Sequence, residues 1–311
     1  MSASQRTRLW GWVLSLVVLS TMPISAAAAD PGGARDSSVL NLLTQQHEDS
    51  ASVLAKLAQA DVVYLGETHD RPDDHQAQLE IIQALYRVRP ALAIGMEMFQ
   101  RPYQSVLDRY LKRALTETEL QDQTQYAKRW GYNWDFYAPI LRFAKVNQLP
   151  VIALNTPTEV TRKTARTGLE SLTLADRRFI PPLSAIEVGP EAYRERLQTI
   201  YTESHHGQGA GTNFQRFFEA QVLWDETMAE RIAYRLQQKP KTLVVVLVGQ
   251  GHILYGDGIP ARVARRLQGS RSRPLFTQVS LLLNAETPPV FRSRPGADYI
   301  WYTHKQPEPL E

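Results

Sequence analysis

The chain has 311 residues, 43% of them hydrophobic and 22% charged, with 35 Lys and Arg against 32 Asp and Glu and a formal charge of +3. That composition suits a globular protein with a substantial core, and it carries no general basic bias of the kind nucleic-acid binding requires. There is no cysteine, which excludes thiolate chemistry, cysteine metal sites and a lipid-modified N-terminal cysteine.

Arg6 and Arg8 precede an apolar run, Trp10 to Val18, and a small-residue tract, Ile24-Ser25-Ala26-Ala27-Ala28-Ala29. A basic start, a short apolar middle and an A-x-A end predict a secretory signal peptide over residues 1–29. The apolar run is too short for a membrane span. Without residues 1–29 the formal charge falls from +3 to +1. Residues 30–311 then read as a single domain.

Within it, Val39 to Leu57 has helical spacing, and residues 61–66 form a short apolar run typical of a buried strand. A second helix is predicted over 73–88 and stops at Pro90. Ala91 to Ile94 is a second strand, running into Gly95-Met96-Glu97. Helices are expected from Tyr103 to Gln148, with a capping box at Thr116-Glu117-Thr118-Glu119. Val151 to Leu154 is a third strand, ending in Asn155-Thr156-Pro157. Short helices fill 158–204, His205-His206 lies in a glycine-rich loop, and a long amphipathic helix runs from Asn213 to Gln238. Leu243 to Val248 is a fourth strand, followed by a helix over 259–267 and strands at 276–283 and 299–303. Continuous apolar strands alternating with helices predict an α/β fold, mainly a parallel β-sheet flanked by helices. The helix-rich stretch from about 100 to 240 is expected as an insertion or cap.

The strand ends carry the chemistry. Gly66-Glu67-Thr68-His69, Gly95-Met96-Glu97, Asn155-Thr156 and Gly249-Gln250-Gly251-His252 each follow an apolar strand. A parallel sheet places all such ends along one edge, where open α/β folds bind ligands. Glu67, His69, Glu97 and His252 are therefore expected in one cleft. Two imidazoles and two carboxylates suit general acid–base catalysis; alternatively His69, Glu97 and His252 could ligate a divalent metal. Asn155 and Asp225, the latter on the long helix one turn after Gln221, are second-tier members of the cleft. His205 and His206 are candidate metal or haem contacts. The aromatic run Trp130 to Tyr137 could line a flat apolar ligand or belong to the core.

The segments VVYLGETHD, IGMEMFQRPYQ, NWDFYAPILRFAKVNQLPVIALNTP, FEAQVLWDETMAERIA and LVGQGHILYGDGIP resemble the ChaN family of haem-binding proteins, within the wider erythromycin esterase, ChaN and Tiki superfamily. They cover roughly residues 60–270 in order. The resemblance implies an exported haem binder linked to iron uptake, in some members a homodimer with haem held by tyrosine at its interface. It also implies a runner-up: erythromycin esterase and Tiki relatives use the same strand-end residues for hydrolysis, the latter with a divalent metal. The chain departs from lipoprotein members in having no cysteine to lipidate, so a periplasmic or secreted protein is expected. Tyr193 and Tyr201 are the candidate haem ligands, since phenolate is a hard donor suited to ferric iron. They lie in the helical stretch, so haem is expected apart from the strand-end cluster.

Overall fold

The computed structural model describes residues 37–204, 214–268 and 275–304. The predicted signal peptide and the His205-His206 loop lie outside them. Ten strands are described: β1 (Ser38–Asn41), β2 (Gln46–Glu48), β3 (Val62–Glu67), β4 (Leu92–Gln100), β5 (Val151–Asn155), β6 (Leu243–Gly249), β7 (Gln278–Leu283), β8 (Val290–Phe291), β9 (Arg294–Pro295) and β10 (Tyr299–Tyr302). The helices are α1 (Ser50–Leu57), α2 (Pro72–Val88), α3 (Gln104–Leu111), α4 (Glu117–Thr124), α5 (Tyr126–Arg129), α6 (Trp134–Val146), α7 (Thr158–Thr167), α8 (Glu191–Ser204), α9 (Phe214–Gln238) and α10 (Ile259–Leu267).

Eight strands form one sheet in the order β2, β1, β10, β7, β3, β6, β4, β5. The six from β10 to β5 are parallel, and β1 and β2 add an antiparallel edge. This is the α/β class read from the sequence, and alternation along each strand explains its two-sided burial. Val63, Leu65, Val245, Leu247, Ile94 and Met96 enter one apolar layer with α1, α2, α3 and α6. Val62, Tyr64, Val244, Val246 and Val248 enter the opposite layer with α9 and α10. A strand covered on both faces has no polar position to spare.

Three differences from the sequence reading have physical causes. Residues 39–57 are two short strands before a helix, because Val39 and Leu40 pair with Trp301 and Ile300 of the C-terminal strand. The Asn41 carboxamide closes the turn by accepting from Leu43 and Thr44 N–H, and Asp49 caps α1 through Ser52 N–H. β4 does not stop near Ile94 but continues to Gln100, with a register shift against β5 between Met96 and Gln100. Such irregularities re-aim side chains at sheet rims, and here the shift falls at Glu97. Finally, the helix-rich stretch 100–240 divides: α3 to α6 pack on one face of the sheet, α9 on the other. Helices α7 and α8 form small separate clusters against α9, around Val160 and Leu223 and around Tyr193 and Phe218. The capping box at Thr116 is present, with Thr116 Oγ1 accepting from Glu119 N–H and Glu119 accepting from Thr116 N–H.

Candidate functional site

β3, β6 and β4 are adjacent at the centre of the sheet. Consecutive strands β3 and β4 are separated there by the later β6, so the chain reverses direction of growth, the position at which open α/β sheets leave a crevice. Their carboxyl ends carry Glu67, Glu97 and, one turn past β6, His252.

Glu67 is 1% exposed. A carboxylate so deep needs partners, and it has three close ones. His69 Nδ1 donates to Oε1 at 2.8 Å, Tyr137 Oη donates to the same oxygen at 2.6 Å, and Gln78 Nε2 donates to Oε2 at 2.6 Å. His75 lies behind, its Nδ1 3.6 Å from Oε2 and its ring stacked on Phe136. His75 Nε2 lies 3.1 Å from the His69 carbonyl oxygen, fixing the loop that carries the imidazole.

Glu97 is the bridge. Its Oε2 accepts the Gly249 N–H at 2.8 Å, and its Oε1 lies 3.5 Å from His252 Nε2. Burial works against the Glu97 carboxylate, but His252, His69 and the Gly249 N–H outweigh it and hold its pKa below the usual value. His252 is held from behind by Asp225, whose Oδ1 is 2.5 Å from Nδ1. Asp225 Oδ2 in turn accepts from Tyr193 Oη at 2.7 Å. Burial opposes the imidazolium, but Glu97 and Asp225 overcome it and push the His252 pKa up to about 10. For His69 burial is likewise opposed, by the Glu67 hydrogen bond and by Glu97, and its pKa is raised.

The two sides therefore repeat one arrangement: an imidazole, a buried carboxylate at its Nδ1, and a buried tyrosine donating to that carboxylate. With Nδ1 engaged on both rings, Nε2 is the nitrogen left to act, and His252 Nε2 faces Glu97. Gly249 makes the close approach feasible. A Cβ there would lie 2.8 Å from His69 Cε1, whereas one on Gly251 would meet nothing within 4 Å. Trp130 and Tyr132 flank His69, each ring 4.8 Å from the imidazole, and Trp224 meets His252 edge-on at 5.9 Å.

Glu67, His69, Glu97 and His252 are thus brought together, and Asp225 joins them directly. Asn155 is a strut: its Nδ2 donates to the Glu97 carbonyl oxygen at 2.9 Å, and its Oδ1 is buried without a hydrogen-bond partner. His69, Glu97 and His252, the residues expected as a metal triad, lie side by side at this rim. Among the described residues no group of three or more His, Asp or Glu is arranged to hold an ion.

Tyr193 departs from the expected separation. It is 1% exposed, its hydroxyl donates to Asp225, and it sits one carboxylate away from His252. Burial and Asp225 push its pKa well above the usual phenol value, which disfavours a phenolate. Tyr201 is only partly buried. Its ring meets Phe214 at 5.6 Å and Phe217 at 5.3 Å, and the Arg194 guanidinium lies 5.0 Å from the Phe214 ring centre.

Tyr137, Gln78 and His75 were not singled out from the sequence. Tyr137 ends the aromatic run Trp130 to Tyr137, and its helical neighbour Phe136 packs on His75, so the run serves both core and site. His75 and Gln78, three residues apart on α2, share a helix face, a signal that only becomes functional once α2 is known to back β3.

A family model described as haem-binding uptake, Tiki superfamily, ChaN, matches residues 53–263. The fold is similar to a solved structure described as cofacial heme binding to ChaN of Campylobacter jejuni, at a TM-score of 0.67 and 19% identity, covering 85% of this chain and 96% of that one. A curated Arabidopsis thaliana protein, RETICULATA-RELATED 5, chloroplastic, is 27% identical over 287 residues. That match covers 88% of this chain but 38% of the plant protein, so the chain spans well under half of its relative. Among the described residues no helix is long and apolar enough to cross a membrane.

Proposed function

The chain belongs to the ChaN haem-binding uptake family of the Tiki superfamily, and from that premise we propose that it binds haem and serves haem or iron uptake as an exported, periplasmic or secreted protein. The observation that carries the reading is the aromatic face of Tyr201, Phe214 and Phe217 with Arg194 beside it. Partly exposed aromatic rings suit a flat apolar macrocycle, a guanidinium suits its carboxylates, and Tyr201 offers the phenolic oxygen. Bound haem would supply ferric iron, which such an oxygen ligates well. Tyr193 does not fit that role, because its hydroxyl is committed to Asp225. Two such faces brought together in a homodimer would cover one another.

Hemin titrated into the purified protein should give a saturable change of the Soret band. Tyr201→Phe should alter the band, and Tyr193→Phe should not. Replacing His205 and His206 by Ala tests the adjacent histidines in the same assay. A linear, unsaturable absorbance rise in wild type would end the haem reading, and a Tyr201→Phe spectrum equal to wild type would remove Tyr201.

A second reading rests on a separate observation, the charged groups packed into the strand-end cleft. We infer that Glu67, His69, Glu97 and His252 can run hydrolysis by general acid–base chemistry. His252, held as a cation, is placed to donate a proton or to stabilise a developing oxyanion through Nε2–H. His69, oriented by Glu67, is placed on the other side of Glu97 to take a proton from water. Ester turnover lost in His252→Ala would support this reading, and equal turnover in variant and wild type would discard it. Metal analysis of the purified protein tests the metal-dependent form.

A further inference from the structure

A second concentration of charge lies outside the cleft, along α9. Arg231, Arg235 and Lys239 recur every four residues, so they share one side of the helix and its end. Like charges one turn apart on a helix repel. The negative end of the helix dipole can compensate Lys239 and Arg235, but its effect is confined to the last turn and does not reach Arg231. Neither Arg231 nor Arg235 has a carboxylate partner among the described residues, and the Nε of each is buried without a hydrogen bond.

These residues line two adjoining depressions. One, of about 410 Å³, is bordered by Arg101, Arg231, Tyr234 and Arg266, with Glu230 as its single acid. The other, of about 290 Å³, is bordered by Arg231, Tyr234, Arg235 and Lys239 against the edge strand β5, with Asp108 as its single acid. Arg231 and the half-exposed Tyr234 belong to both. The Glu230 carboxylate is already engaged by Arg101 at 2.8 Å, and Arg266 is engaged by Glu226. Burial, with the nearby charge of Arg231, still holds the Arg101 pKa below its usual value, so Glu230 does not fully compensate it. Burial lowers that of Arg235 as well. With Glu230 paired to Arg101 and Asp108 accepting from Gln104, Arg231, Arg235 and Lys239 leave the trough with more cationic than anionic groups.

We propose that this trough is a binding site for a small ligand bearing oxyanion groups, phosphate or carboxylate, held by Arg231 and Arg235 with Arg101 at its wall. The planar guanidinium fork matches both groups through paired N–H donors. The larger depression falls within the range of ligand sites, roughly 300–1,000 Å³. The site shares no residue with the acid–base cleft or the Tyr201 face, and it stands independently of the haem reading.

Calorimetric titration of the full chain with pyrophosphate and, separately, with citrate tests it at constant ionic strength. Saturable binding of either anion is expected, weakened about tenfold or more in Arg231→Gln and in Arg235→Gln. Preference for pyrophosphate assigns a phosphoryl ligand, and preference for citrate a carboxylate one. Both variants change partly exposed residues, and circular dichroism checks that they fold. Absence of saturable binding at about 10 mM of either anion, or equal affinity in folded Arg231→Gln and wild type, overturns the proposal.

Discussion

Replacing Asp225 by Asn tests the electrostatics of the cleft. The substitution preserves shape and can still accept from Tyr193, but it removes the negative charge 2.5 Å from His252 Nδ1. In wild type the His252 pKa stands at about 10 against 6.5 for a free imidazole. That difference corresponds to at most about 5 kcal/mol of folding stability at 1.36 kcal/mol per unit. Its sign follows from linkage: a base whose pKa rises on folding contributes fully below 6.5 and loses that contribution as the pH rises through 10. Glu97 remains in the variant, at 3.5 Å from Nε2, so only part of the shift should go. One opposite charge at such range moves a pKa by about 1–3 units, which is about 1.4–4 kcal/mol. NMR titration should find the His252 pKa lowered by that amount. Urea unfolding should find wild type more stable than Asp225→Asn at pH 7, with the gap closing as the pH rises from the variant's lower His252 pKa to about 10. Groups titrating elsewhere cancel in the difference. An unchanged His252 pKa, or a stability gap independent of pH, would refute the reasoning.

Asp74 follows the same sign as His252, its pKa being raised on folding where a paired acid's would be lowered. Burial raises its pKa to about 6, although Thr68 N–H and Asn284 Nδ2 donate to it. Relative to Asp74→Asn, wild type should therefore lose up to about 3 kcal/mol between pH 4 and pH 7, and parallel stability curves for the two proteins would refute this. Gly249→Ala should force the His69 ring aside and cost about 1–3 kcal/mol, while Gly251→Ala should leave the melting temperature nearly unchanged; equal effects would show that the close approach to His69 is unimportant. Gln104 acts as a substitute strand, donating to Val151 O and accepting from Ala153 N–H, each at 2.8 Å. Gln104→Ala should cost about 2 kcal/mol and promote self-association through the bared edge of β5, measured by denaturation and light scattering; a monomeric variant of wild-type stability would contradict it.

The sheet was legible because its central strands are buried on both faces and must be apolar throughout; a run such as Leu243 to Val248 in β6 admits few alternatives. Glu67, His69, Glu97 and His252 were legible for a related reason, since a charged group directly after such a run has to project from the sheet rim. What sequence could not convey was pairing. Val39 and Leu40 have helical spacing, yet they belong to a strand whose partner, around Ile300 and Trp301, lies at the far end of the chain. The length of β4 depends on a register shift against β5, which no local pattern encodes. The same limit applies to the site. Tyr193 carries no local mark distinguishing a carboxylate partner from an iron ligand, and only its proximity to Asp225 decides between them. His75 and Gln78 likewise gain meaning only from the packing of α2 behind Glu67.

The central claim is that haem and the strand-end acid–base groups occupy different places on one fold. Anomalous diffraction at the iron edge from crystals of the hemin-loaded protein tests it most directly. The account predicts the iron peak beside Tyr201, against Phe214 and Phe217, with the Glu97–His252 contact intact. A peak between His69 and His252, coordinated by their Nε2 atoms, would contradict it.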